Sequence, residues 1–270
     1  MKDRLLIPIT AAILAACAHA TSPEATLAAA LRSQPVALLG EVHDNAAQHA
    51  LRARALRALL EAGARPALLM EQFDRERQAD IDRVRARPDA TADDLIAAAA
   101  PANAAWDWAL YRPVIALALA YQVPLLAANV SRADARRAIQ GGLGELGLDP
   151  AVPGDIEIPQ AEAIAASHCG LVAPPEARRM VAAQVARDQF MARLIEAHAG
   201  EGVVLLAGNG HVRRDIGVPR WLAPGTRARS VSIGLLEAGS GEPGAFDVTV
   251  TTAPQSRPDP CEAFAKRPSG

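Results

Sequence analysis

Pro35-Val-Ala-Leu-Leu-Gly-Glu-Val-His-Asp-Asn45 contains a four-residue apolar run, Val36 to Leu39, that stops at Gly40 and is followed within four positions by Glu41, His43 and Asp44. A run this short, bounded by a turn signal, reads as a strand buried on both faces. From Ala46 to Ala62 the spacing turns helical: Leu51, Ala55, Leu56, Leu59 and Leu60 share one broad side, and Gly63 stops the pattern. Strand, polar turn and helix in that order form the unit of an open α/β sheet, which binds its ligands just past the strands' carboxyl ends.

The strand recurs. Pro66-Ala-Leu-Leu-Met-Glu71, Pro124-Leu-Leu-Ala-Ala-Asn129 and Gly202-Val-Val-Leu-Leu-Ala-Gly-Asn209 each open at Pro or Gly, run apolar for four or five residues and close on a polar side chain. Helical patterns lie between them: Asp74 to Arg87, Asp93 to Ala100, Trp108 to Tyr121, Arg132 to Ile139, and the long Pro174 to Ala199. The fold class is therefore α/β, a parallel-rich central sheet flanked by helices, with a smaller helical portion. Parallel strands would bring Glu41, Glu71, Asn129 and Asn209 to one edge. On the long helix, Gln184 and Asp188 share the apolar stripe of Met180, Met191 and Ile195, where a polar group is costly without a partner. They either brace the sheet or line a site. Residues 141–160, rich in Gly, Pro and acids, read as an insertion or boundary. Arg229 to Glu237 and Phe246 to Thr252 alternate like strands that finish the sheet, with antiparallel pairing left open. Residues 22–253 form one domain and residues 254–270 a Pro-rich tail.

Lys+Arg 28 against Asp+Glu 30 leaves no field that would attract nucleic acid. Residues 1–16 read as a signal peptide: Lys2 and Arg4 precede an apolar stretch, Leu5 to Ala16, too short to span a membrane. It ends in Leu14-Ala15-Ala16-Cys17, which resembles a bacterial lipobox with Cys17 as the lipidated residue, although Ala18-His19-Ala20 also fits ordinary secretion. The expectation is a lipid-anchored protein of the cell envelope that faces the periplasm. In that oxidising compartment the remaining pair, Cys169 and Cys261, becomes a disulfide candidate, with two free thiols as the alternative.

Gly208-Asn-Gly-His211 repeats the G-x-x-H spacing of Gly40-Glu-Val-His43. Composition alone predicts about 0.4 such spacings; finding two, each directly after a four-residue apolar run, is much harder to ascribe to chance. The two imidazoles would face one another across the sheet edge. With Glu71 they would make a two-His, one-carboxylate set able to hold a divalent metal and activate water, with Glu41 as general base or as a partner orienting a ligand histidine. Without metal, His43 itself could be the base. Alternatively, both histidines hydrogen-bond within their loops.

Those motifs, together with the Glu71 strand, Trp106-Asp-Trp-Ala-Leu-Tyr111-Arg-Pro113, Gln184-Val-Ala-Arg187-Asp188 and Val218-Pro219, resemble the ChaN-like lipoproteins of the haem-binding-uptake and Tiki superfamily. The resemblance covers roughly residues 30 to 240. It implies haem binding in iron acquisition, in a possible homodimer with haem at the interface and a tyrosine on the iron. Tyr111 is the candidate ligand, with packing against Trp106 and Trp108 as its alternative role, and His168 is a second candidate. The Tiki and erythromycin-esterase branches imply instead a hydrolase with Glu41, His43, Glu71 and His211 as its catalytic set. His49 reads as a helix-surface residue near the site, and Arg213 and Arg214 as possible partners of haem propionates or a substrate carboxylate.

Overall fold

The computed structural model describes residues 22–100, 106–259 and 261–262. Residues 1–21, which include the expected signal peptide and Cys17, lie outside them, as does most of the chain after Cys261. Six strands alternate with helices along the chain. They are β1 (Val36–Leu39), β2 (Ala67–Asp74), β3 (Leu125–Asn129), β4 (Val203–Leu206), β5 (Ser230–Glu237) and β6 (Val248–Thr252). The helices are α1 (Pro23–Ser33), α2 (Ala46–Glu61), α3 (Gln78–Arg85), α4 (Ala92–Ala99), α5 (Trp108–Ala120), α6 (Arg132–Gly141), α7 (Gly154–Ser167), α8 (Pro174–His198), and the short α9 (Asn209–Val212) and α10 (Pro224–Arg227).

The strands make one sheet in the order β3-β2-β4-β1-β5-β6, and every neighbouring pair is parallel. β1 and β4 are buried at all four positions, which explains why their sequences are apolar without alternation. Successive side chains still point to opposite faces. Ala37 and Leu39 join the core formed with α1 to α5, while Val36 and Leu38 join the core under α8 with Met191, Ala192 and Ile195. A third, smaller core, with Ala138, Ile156, Ile164, Val181 and Val185, ties α6 and α7 to the outer side of α8. It is the smaller helical portion of the sequence reading.

One sequence expectation needs correction, and two readings left open are narrowed. β2 runs past Glu71 to Asp74, so the helix expected from Asp74 begins only at Gln78; Phe73, fully buried and 5.1 Å from the ring of Trp108, carries the strand onward. Residues 141–160 do not separate two bodies, since Leu143, Leu148 and Ile156 are all buried in the third core. β6 lies parallel to β5 rather than antiparallel, because residues 238–247 cross back with Ala245 and Phe246 buried on the α8 face. Among the described residues, no helix is long and apolar enough to cross a membrane.

Cys169, at the end of α7, is disulfide-bonded to Cys261, closing the tail onto the body.

Candidate functional site

The carboxyl ends of β1, β2, β3 and β4 open into a cavity of about 960 Å³. Its wall includes His43, Glu71, Gln72, Asp74, Arg77, Trp106, Asn129, Arg132, Gln184, Arg187 and His211. Of the four strand-end residues expected to converge, Glu71 and Asn129 line it. Glu41 lies beneath, 2 % exposed. Asn209 turns away and pairs twice with the backbone of β5, its Nδ2 donating to Leu235 O at 2.7 Å and its Oδ1 accepting from Leu235 N at 3.1 Å.

The two G-x-x-H turns interlock. A Cβ on Gly208 would lie 2.8 Å from His43 Cε1, and one on Gly40 would lie 2.2 Å from Asn209 Oδ1. Each glycine is thus the floor on which the other motif's side chain rests. The backbone joins them as well, Asn209 N–H donating to Glu41 O at 3.0 Å. The pairing of β1 with β4 brings the turns together, and the absence of a side chain lets them touch.

Glu41 is the hub below the floor. Its Oε1 accepts from Tyr111 Oη at 2.6 Å and lies 2.9 Å from His43 Nδ1, with Gln72 Nε2 at 3.5 Å. Its Oε2 pairs with Arg52 and lies 3.7 Å from His49 Nδ1. Arg52 is fully buried, and burial is the chief reason its guanidinium falls to about 10 despite support from Tyr111 and Glu71. His49 is buried rather than on the helix surface, its Nε2 donating to His43 O at 2.9 Å.

The two motif histidines differ in charge. His43 keeps a side-chain exposure of 46 % on the cavity wall, and Trp106 meets its ring edge-on at 4.8 Å. Desolvation holds its pKa below the ordinary value, with Glu71 and Asp44 opposing and His211 assisting. With Nδ1 donating to Glu41, the lone pair is at Nε2, which no described residue hydrogen-bonds. His211 is nearly enclosed and lies between two carboxylates, Nδ1 2.6 Å from Asp188 Oδ1 and Nε2 3.5 Å from Glu71 Oε1. Burial opposes its charge, but Glu71 and Asp188 together outweigh burial and raise its pKa to about 10. Burial likewise opposes ionisation of Glu71; His211, His43 and the Gly208 N–H at 2.7 Å overcome it and lower that pKa to about 2. Burial pushes Asp188 up, partly offset by His211 and by Gln160 Nε2 at 3.3 Å. Asp188 on the stripe of α8 is therefore a site residue, and Gln184 lines the cavity.

This geometry alters several expectations. Both nitrogens of His211 face carboxylates, Nδ1 to Asp188 and Nε2 to Glu71, while His43 turns Nδ1 to Glu41 and leaves Nε2 open. Among the described residues, no group of three His, Cys, Asp or Glu side chains is arranged to hold a metal ion. Tyr111, the tyrosine expected on haem iron, is 1 % exposed and is not part of the cavity wall. Burial raises its phenol pKa, and its hydroxyl is committed to Glu41. It packs edge-on against Trp106 and Trp108, the alternative role read from the sequence. His168 caps α7 and has Nδ1 2.8 Å from Ile164 O, away from the cavity wall. Arg213 pairs with Asp215 and Glu242, and Arg214 with Asp247, so neither faces the cavity. Arg77, Arg132 and Arg187 supply its positive wall instead.

A family profile described as "Haem-binding uptake, Tiki superfamily, ChaN" matches residues 27–222. The chain belongs to this family. Among solved structures, the protein from Campylobacter jejuni described as "Cofacial heme binding to ChaN" superposes with a TM-score of 0.68 at 22 % identity, covering 80 % of this chain and 87 % of that one. An erythromycin esterase superposes with a TM-score of 0.49 at 15 % identity, covering 87 % of this chain and 80 % of that one. No curated protein matches. At 22 % identity the ChaN match speaks for the fold alone. The family profile ends at Leu222, so β5, β6 and the tail lie outside the residues it matches.

Proposed function

We propose that this ChaN-family chain binds haem in the cavity at the strand ends, with His43 as the protein ligand to iron. One observation carries the reading: a neutral imidazole, held through Nδ1 by a buried carboxylate, offers Nε2 to a cavity of about 960 Å³ whose wall bears three arginines. A carboxylate on the far nitrogen is how proteins orient ligand histidines and strengthen them as donors. The volume lies at the upper end of the ordinary range for ligand pockets, roughly 300–1,000 Å³. Arg77, Arg132 and Arg187 would receive the two propionates, and Trp106 supplies an aromatic wall beside His43. Haem, once bound, would supply an iron centre, with the His43 imidazole as the protein group that would hold it. Tyr111 then acts through Glu41 rather than on the iron.

The Leu14-Ala15-Ala16-Cys17 sequence supports a lipid-anchored role in envelope haem acquisition. The test is absorbance titration with haemin: saturation with a defined spectrum is the expected result, and changing Arg77, Arg132 and Arg187 together to Gln should weaken binding at least ten-fold. No saturable binding by the unaltered chain would overturn the reading.

A second reading has its own support. One cavity presents a neutral histidine and a protonated one, the arrangement of a general base beside a general acid or cationic stabiliser. Ester turnover abolished by either His43→Ala or His211→Gln would favour hydrolysis. Turnover absent from the unaltered chain would remove it.

A further inference from the structure

The tail beyond β6 reaches the site from a direction that the family match does not cover. Ala253 O accepts from Asn45 Nδ2 at 3.1 Å, and Gln255 N–H donates to Glu237 Oε1 at 2.9 Å. Arg257 then enters between two acids. Its Nε and Nη2 donate to both carboxylate oxygens of Asp44 at 2.8 Å, and its Nη1 and Nη2 donate to Glu237 at 2.8 and 2.7 Å. Four residues later Cys261 is bonded to Cys169 at the end of α7. The tail is therefore fastened at both ends, with Arg257 between the fastenings.

Asp44 is the neighbour of His43, and Asn45 caps α2 with its side chain and donates to Glu237 at 2.7 Å. The two residues that follow His43 thus lean on Arg257 and Glu237. Bidentate guanidinium–carboxylate pairs fix orientation as well as distance. Without the guanidinium, Asp44 and Glu237 would meet as like charges, and the turn would move away from β5. Fastening the far end of a short segment raises the effective concentration of a group within it, so the disulfide keeps Arg257 in place. Pro254 and Pro258 stiffen the span.

We propose that Arg257 is a positioning residue for His43, kept on Asp44 and Glu237 by a strap that the Cys169–Cys261 disulfide latches, and that a dithiol reductant loosens the site by opening the latch. In the exchange the protein disulfide takes up two electrons and two protons to become two thiols, while the dithiol becomes its own disulfide. Both cysteines are only half-buried, within reach of such a reagent. The claim about the turn stands on the contacts above; its effect on the ligand rests on the haem reading.

The test uses the whole chain oxidised, the same chain treated with dithiothreitol, Cys169→Ser with Cys261→Ser, and Arg257→Gln with the disulfide intact. Hydrogen exchange at amides 42–48 is measured without ligand, and haemin affinity and spectrum are measured by absorbance. Arg257→Gln should speed exchange at 42–48 and weaken haemin roughly ten-fold, with exchange in β1 and β4 unchanged. Reduction should do the same to the unaltered chain and add little to Arg257→Gln. Exchange at 42–48 unchanged by Arg257→Gln, or raised equally throughout the molecule, would overturn the positioning role. Additive effects of reduction and Arg257→Gln would overturn the latch. A chain that never binds haemin would defeat the haem reading alone, because the exchange measurement still decides the strap.

Discussion

Gly208 is the residue whose smallness the site depends on most visibly, because His43 occupies the space that a Cβ would fill. Gly208→Ala should displace the His43 ring and weaken ligand binding at least ten-fold in titration. Gly210→Ala, with open space at its Cβ, should leave binding unchanged. Equal effects of the two would contradict the interlock. The G-x-x-H spacing announced both glycines in the sequence, but their reciprocal contact was not legible there, since it requires the register of β1 on β4. Arg52 gave no signal at all. Nine positions after His43, within a helical pattern, it looks like one more arginine on a solvated face, yet it lies buried under Glu41. Removing one partner of a buried ion pair leaves the other charge uncompensated, at a cost of about 3–5 kcal/mol. Arg52→Met should show a loss of that size in denaturant unfolding, and Arg52→Met combined with Glu41→Gln should recover part of it. A double variant as unstable as the sum of the singles would argue against the pairing.

Among the elements, α8 and β2 decide what the cavity can do. α8 brings Asp188 to His211, and β2 brings Glu71 to its other nitrogen. The pH dependence follows from the signs. Glu71 is lowered from 4.5 to about 2, so its contribution to stability is complete above pH 4.5 and is lost as pH falls towards 2. His211 is raised from 6.5 to about 10, so its contribution is complete below pH 6.5 and is lost as pH rises through 10. Glu71 and His211 therefore both contribute in full between pH 4.5 and 6.5. His211→Gln should flatten the alkaline decline between pH 6.5 and 10, on the order of 5 kcal/mol at its largest. An unchanged alkaline limb in denaturant midpoints across that range would contradict the protonated histidine. Sequence pattern located both elements, and the polar positions on the stripe of α8 flagged Asp188. The pattern could not show that β2 loses its regular pairing with β3 between Met70 and Asp74, which lets Glu71, Gln72 and Asp74 all line the cavity. Nor could alternation in the last two strands distinguish a hairpin from a crossover, because that choice depends on where Phe246 is buried.

For the whole molecule, the parallel sheet was readable because four apolar runs with the same punctuation are separated by helical lengths of chain. The tail's role was not, since a Pro-rich segment carries no periodicity and the partners of Arg257 lie at positions 44 and 237. The disulfide closes a separation of 92 residues, for which loop-closure entropy predicts about 4–5 kcal/mol of stabilisation. Cys169→Ser with Cys261→Ser should lower the unfolding midpoint accordingly. A midpoint equal to that of the oxidised chain would show that the bridge constrains nothing. The central claim is that the ligand reaches iron from His43 and not from Tyr111. Its most direct test is the absorbance spectrum of the haemin complex for the unaltered chain, His43→Ala and Tyr111→Phe, recorded at saturation. His43→Ala should abolish the defined spectrum, while Tyr111→Phe should keep its form with only modestly weaker binding. A spectrum that survives His43→Ala and disappears with Tyr111→Phe would contradict the claim.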